Sequence, residues 1–134
     1  MDRTDEVGAA AAAEYFLSLY SYVMQTGDLA EWDAMSWETC NFCSSTRDRS
    51  VQIRKNAERF TGGEIETISV RVYPIDDAIG GYPVDVEFTQ QPSAHVDASG
   101  TSIYSGAVDT GTFGVDVINV TSEWRILSVT DQGA

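Results

Sequence analysis

The stretch F-T-G-G-E-I-E-T-I-S-V-R-V-Y, Phe60 to Tyr73, contains the change of period on which the fold class turns. Before its two glycines, apolar residues recur at helical spacing. After them, Ile68, Val70 and Val72 alternate with Ser69, Arg71 and Tyr73, the period-2 pattern of a half-buried strand.

Working upstream, Ala13, Phe16, Leu17, Tyr20, Val23 and Met24 fall at steps of three and four, which predicts one amphipathic helix from Ala9 to Met24. Gly27 is its expected left-handed cap. Asp28 followed by Glu31 reads as a capping-box variant opening a short helix from Leu29 to Met35, with Trp32 and Met35 buried. A third helix is expected from Asn41–Ser45 to Phe60, with Ile53, Ala57 and Phe60 on one face and Gly62-Gly63 as its stop.

Downstream, Pro74 to Pro83 is rich in turn residues, and Val84, Val86 and Phe88 mark a second strand. Residues 93–111 carry the weakest pattern, with Ile103, Tyr104 and Val108 suggesting one short strand. Phe113, Val115 and Val117 open a strand reaching Val120, and Trp124 to Val129 forms the last. Helices before strands imply an α+β domain: three N-terminal helices packed on a curved antiparallel sheet of about four strands. The expected domain is 9–130, with 1–8 disordered and 131–134 frayed.

At 134 residues the chain has the length of one domain, enough to bury roughly two-thirds of its unfolded surface. No run of about 18 apolar residues occurs, and Gly8–Ala13 lacks the basic leader and cleavage site of a signal peptide. The net charge of −13 opposes nucleic acid and anionic lipid. The charge is uneven. Residues 41–60 are basic, with Arg47, Arg49, Arg54, Lys55 and Arg59 against Asp48 and Glu58, while both flanks are acidic.

Cys40 and Cys43 are the only cysteines. A thiol-redox pair of this spacing normally follows a strand and opens a helix within a βαβ unit, a pattern absent here. Half of a zinc site needs two further ligands, and His95 is the only histidine. The favoured reading over both alternatives is a structural disulfide between the second and third helices, which implies an oxidising compartment.

Tyr22–Asp28 (Y-V-M-Q-T-G-D), the C-x-x-C pair, the Gly-Gly after the third helix and Trp124-Arg125-Ile126 together resemble an uncharacterised family of actinobacterial lipoproteins. The resemblance implies a cystatin-like α+β roll of the nuclear transport factor two superfamily. It also implies an extracytoplasmic place, with anchorage through a lipid-bearing cysteine that these 134 residues do not include. It carries no activity.

The function expected is therefore that of an extracytoplasmic binding or interaction module of the cell envelope, whose ligand or protein partner the sequence does not name. A small cavity enzyme of isomerase or cyclase type and a structural homodimer formed through the sheet are the alternatives. Neither nucleic acid nor any cofactor is expected. Rolls of this superfamily often hold a cavity, and the aromatic residues expected to line it here are Tyr15, Tyr20, Trp32, Phe88 and Trp124, with Tyr22 and Trp37 nearby in sequence. Superfamily isomerases place a carboxylate base in that cavity, but no stretch matches their motifs and alternation turns Asp85 away from the core. Arg47, Arg54, Lys55 and Arg59 form a candidate stripe for an anionic partner, against the plain reading of a solvated helix face. His95 reads as a solvated loop residue, Asp76-Asp77 lacks the calcium-loop ladder, and no nucleophile elbow is present.

Overall fold

A computed structural model of the chain describes residues 3–132. Four helices come first: α1 (Glu6–Ser18), α2 (Tyr20–Thr26), α3 (Ala30–Met35) and α4 (Asn41–Lys55). Seven strands follow: β1 (Arg59–Gly62), β2 (Ile65–Val72), β3 (Tyr82–Gln90), β4 (Ser93–Val96), β5 (Ser102–Gly106), β6 (Asp109–Val120) and β7 (Glu123–Asp131). The α+β order stands, but the strands are more numerous than the four expected. They form two antiparallel sheets, a large one in the order β2-β3-β6-β7 and a small one in the order β1-β4-β5.

The helices lie on one face of the large sheet. Val84, Val86 and Phe88 of β3, Val115 and Val117 of β6, and Ile126 of β7 are buried there against Ala9, Ala12, Ala13, Phe16 and Leu17 of α1. The three alanines let the helix approach the sheet closely. Each buried valine contributes roughly 1.5–3 kcal/mol of transfer free energy, so this layer dominates the stability of the domain.

The first helix differs from the single rod expected. Ser18 Oγ donates to the Tyr15 carbonyl at 2.5 Å, the group that the Leu19 N–H would take in an unbroken α-helix. Leu19 N–H turns instead to the Phe16 carbonyl at 3.1 Å, and the helix bends there. The helix also begins earlier than expected. The Asp5 side chain accepts from the Gly8 N–H at 3.3 Å and caps it. Trp124 Nε1–H donates to the Arg3 carbonyl at 3.0 Å, tying the start of the chain to β7. The segment 1–8 is thus ordered from Arg3 onward, and Met1 and Asp2 lie outside the described residues. At the other end β7 includes Asp131, and Gln132 N–H donates to the Thr112 carbonyl. The expected fraying at 131–134 is corrected for those two residues, and 133–134 lie outside the described ones.

The expected capping box at α3 does not close. Asp28 Oδ1 accepts from Ala30 N–H at 3.2 Å, but Glu31 reaches Tyr15 Oη and not the Asp28 backbone. The third expected helix ends at Lys55, not Phe60. Ala57, with φ 55°, takes the left-handed position usually held by glycine. Its N–H donates to the Arg54 carbonyl and the Glu58 N–H to the Ile53 carbonyl, which together make a Schellman stop. Arg59 and Phe60 consequently start β1. Gly62-Gly63 does not end a helix but turns the chain from β1 into β2. A Cβ on Gly62, with φ 74°, would stand 2.1 Å from the Pro92 carbonyl oxygen.

Two further expectations shift. Ile68 was assigned to the buried face of β2, but a bulge between Thr67 and Ser69 leaves it 57% exposed. Residues 93–111 hold β4, β5 and the beginning of β6, so His95 sits in a strand and not in a loop. Short Ser- and Gly-rich strands with little buried area carry no alternation to detect.

Candidate functional site

Cys40 and Cys43 are joined in a disulfide. Trp37 N–H donates to the Ile126 carbonyl at 2.9 Å, and Cys40 N–H donates to the Trp37 carbonyl at 3.0 Å. This turn ends on Cys40, whose sulfur accepts from the Cys43 N–H at 3.2 Å and caps α4. Both cysteines are buried, and Trp32 Nε1–H closes over them by donating to the Cys43 carbonyl at 3.0 Å. Thiol exchange requires an approachable sulfur; here both cysteines are buried, and the arrangement holds helix ends together.

The five aromatic residues expected to line one cavity separate into three environments. Trp32 and Phe88 are fully buried. Trp32 stacks on Phe16 with ring centroids 4.0 Å apart, and Phe88 stacks on Phe113 at 4.2 Å. Phe42 bridges the two pairs, with centroids 6.1 Å from Trp32 and 6.0 Å from Phe113. The middle of the roll is filled by this aromatic array.

Tyr15 and Trp124 sit elsewhere, on a surface groove of about 290 Å³ shared with Glu31, Met35, Glu123 and Arg125. Tyr15 Oη donates to Glu31 Oε1 at 2.6 Å. The carboxylate and partial burial hold the phenol above its usual range, so it stays a neutral donor. Tyr20 is at the opposite end of the roll. It borders two adjoining hollows, one with Arg49, Phe60, Gln90, Ser93 and Tyr104, the other with Phe42, Ile65, Gln90, Phe113 and Asp131. Tyr22 is exposed and donates to Asp28.

Two acids of the large sheet point away from this interior, while Asp131, opposite Phe113, stands exposed at its rim. Asp85 accepts from Tyr73 Oη at 2.8 Å and Asp116 from Ser128 Oγ at 3.1 Å, both on the face opposite the buried valines. Each is held by its own sheet neighbours.

Of the four cations expected as one stripe, Arg47, Arg54 and Lys55 stay on α4 and Arg59 leaves it. Arg47 pairs with Asp33 at 3.3 Å. Arg54 donates to the Met24 carbonyl at the end of α2 and lies across Gly27. Lys55 shares a shallow groove with Arg47, Asp48, Val51, Gln52 and Asn56. Arg59 is not on the helix at all, because the stop at Ala57 moves it into β1. Arg49, left out of the stripe, is the cation that reaches a hollow: its Nη1 donates to Tyr20 Oη at 3.4 Å. The basic segment 41–60 pointed to it, but only the packing of α4 against α2 singles it out. His95, expected in solvent, instead meets Glu58 Oε1 at 2.7 Å with both side chains largely buried.

A family model matches residues 1–130 of the chain, nearly its whole length. The chain belongs to DUF6318, a family of unknown function. No curated protein matches it in sequence. In fold, this DUF6318 domain is similar to the intermembrane space region of the chloroplast protein ARC6, with a TM-score of 0.72 at 12% identity over 98% of this chain and 99% of that one. It is also similar to a putative scytalone dehydratase from Novosphingobium aromaticivorans, with a TM-score of 0.60 at 14% identity over 96% and 85% of the two chains. A protein with a cystatin-like fold from Caulobacter vibrioides gives a TM-score of 0.57 at 12% identity over 98% and 89%. The roll expected from the resemblance is thus the fold of the DUF6318 domain. What such a fold can host is decided by its filling, and here aromatic rings occupy the centre while polar groups are left at the rim.

Proposed function

We propose that this DUF6318 domain is a binding module of the cell envelope, acting outside the cytoplasm and carried there, as in the lipoproteins it resembles, by a lipid anchor. The observation that supports binding at the surface is the aromatic array through Phe16, Trp32, Phe42, Phe88 and Phe113, which occupies the space where an enclosed substrate would lie. A cavity enzyme of this fold needs an acid or base enclosed in the roll, whereas Asp85 and Asp116 are on the outer face of the sheet and Asp131 is exposed at the rim. On the outer face Asp85, Glu87 and Asp116 outnumber Arg71 and Arg125, so a dimer formed through it would bring two net negative surfaces together, which disfavours it. The buried disulfide fits an oxidising compartment.

Two measurements on the full-length protein in its native host test this reading. A membrane-impermeant amine reagent applied to intact cells labels Lys55, which is exposed. Intact mass after alkylation without reductant shows no added thiol blocker. A chain shielded from the reagent and carrying two alkylated cysteines overturns the compartment. Turnover of any small substrate that disappears on an Asp85 or Asp116 substitution overturns the binding role.

A further inference from the structure

The hollow at the mouth of the roll is lined by Tyr20, Arg49, Phe60, Gln90, Ser93 and Tyr104 and encloses about 330 Å³. It lies where the small sheet diverges from the large one, with α4 as its third wall. In a chain of net charge −13, these six residues include a guanidinium and no carboxylate. Arg47 is occupied by Asp33, but Arg49 has no ion pair among the described residues and spends one N–H on Tyr20 Oη. The rest of its donor fork is available.

The other groups form a polar rim around a flat apolar surface. Gln90 Nε2 donates to the Gly63 carbonyl at 3.1 Å, which leaves its amide oxygen as an acceptor. Tyr104 is 55% exposed on the outermost strand of the small sheet, and its ring folds back across Gly106. A Cβ at Gly106 would come within 3.0 Å of both Tyr104 Oη and Ser93 Oγ, so these hydroxyls flank one floor position that glycine keeps open.

Resting on the binding-module reading, we propose that this hollow binds a carboxylate-bearing sugar unit. A planar guanidinium matches a single carboxylate in a two-point contact. A sugar ring supplies one apolar face for Tyr104 and hydroxyls along its edge for Ser93, Gln90 and the tyrosine hydroxyls. A purely apolar guest would strip water from these groups without replacing it. A multiply charged phosphate would meet one cation in a strongly negative field. The volume suits one or two rings, at the small end of ligand sites. The neighbouring hollow beyond Tyr20 contains Asp131, so the carboxylate end lies on the Arg49 side.

The test is a calorimetric and chemical-shift titration of the folded domain with glucuronate, glucose and benzoate. Glucuronate is expected to saturate a site whose shifts centre on Tyr104 and Ser93, with glucose and benzoate each weaker by about tenfold. Arg49→Gln lowers glucuronate affinity about tenfold, to that of glucose, and leaves glucose unchanged. Tyr104→Leu, a substitution on an exposed strand position, weakens both sugars. No saturable glucuronate response at millimolar concentrations overturns the proposal, and so does glucuronate binding that survives Arg49→Gln. Benzoate bound as tightly as glucuronate overturns the sugar and leaves a general acid site. If glucuronate fails while cell labelling still places the domain outside the membrane, only this inference falls. If glucuronate binds and labelling fails, the site stands and the compartment falls.

Discussion

The two sheets of this domain are built to different standards. The large one buries Val84, Val86, Val115, Val117 and Ile126 to 1% exposure or less against α1, and its centre is closed by stacked rings. The small one buries Phe60, while Ile103 and Tyr104 of its outer strand are more than half exposed. Its main internal tie besides backbone pairing is the His95–Glu58 contact. The contrast separates two jobs. Stability resides where apolar area is removed from water, and adaptable polar surface resides where it is not. The Arg49 hollow lies on the boundary, with a rigid wall of α4 and β3 and a looser wall of β4 and β5.

Trp32→Ala is expected to have the largest effect. It opens the aromatic array and removes the indole hydrogen bond to the Cys43 carbonyl, so urea unfolding loses roughly 3–5 kcal/mol, and all regions melt together. A loss confined to α3 would break the view of the large sheet as one cooperative core. His95→Ala leaves the largely buried Glu58 carboxylate without its partner, at a cost of about 1.5–3 kcal/mol. Hydrogen exchange should report that loss in β1, β4 and β5 first, while the β3 and β6 amides stay protected. Equal deprotection of both sheets would show that the small one is no separate unit.

Replacing Cys40 and Cys43 together by serine removes a short covalent loop and about 2 kcal/mol, visible as a lower urea midpoint at unchanged slope. An identical midpoint would mean that the hydrogen bonds around Trp37 and Trp32 hold the helix ends without the bridge. The smallest effect is a gain. Ala57→Gly relieves a left-handed residue at the joint between α4 and β1 and is expected to raise stability by about 1 kcal/mol. A decrease would show that the added chain freedom at the joint outweighs the relief.

Much of the large sheet was legible because burial on one face imposes a period. Val84, Val86 and Phe88, Val115 and Val117, and Trp124 and Ile126 alternate in the sequence as they do in the structure, up to the register shift that leaves Leu127 out of the β6–β7 pairing. Ile68 escaped because a bulge adds a residue without altering the apolar pattern around it. The helix end at Ala57 escaped because its stop geometry lacks the glycine that marks such stops. The candidate site was legible only as a bias, a basic segment in an acidic chain. Which of its cations pairs with an acid, caps a helix or faces a hollow depends on neighbours 14 to 30 residues distant in the chain.

By itself, the sequence determined the α+β class and the order of helices before strands and favoured a bridge between Cys40 and Cys43, because these follow from local period, turn chemistry and cysteine arithmetic. Tertiary structure decided that the roll is filled, that Arg59 leaves the expected cationic stripe for β1 and that Arg49 and Tyr104 meet at one rim. Those outcomes depend on how α2, α4 and two sheets pack in three dimensions, and side chains brought together by packing leave no periodic trace along the chain.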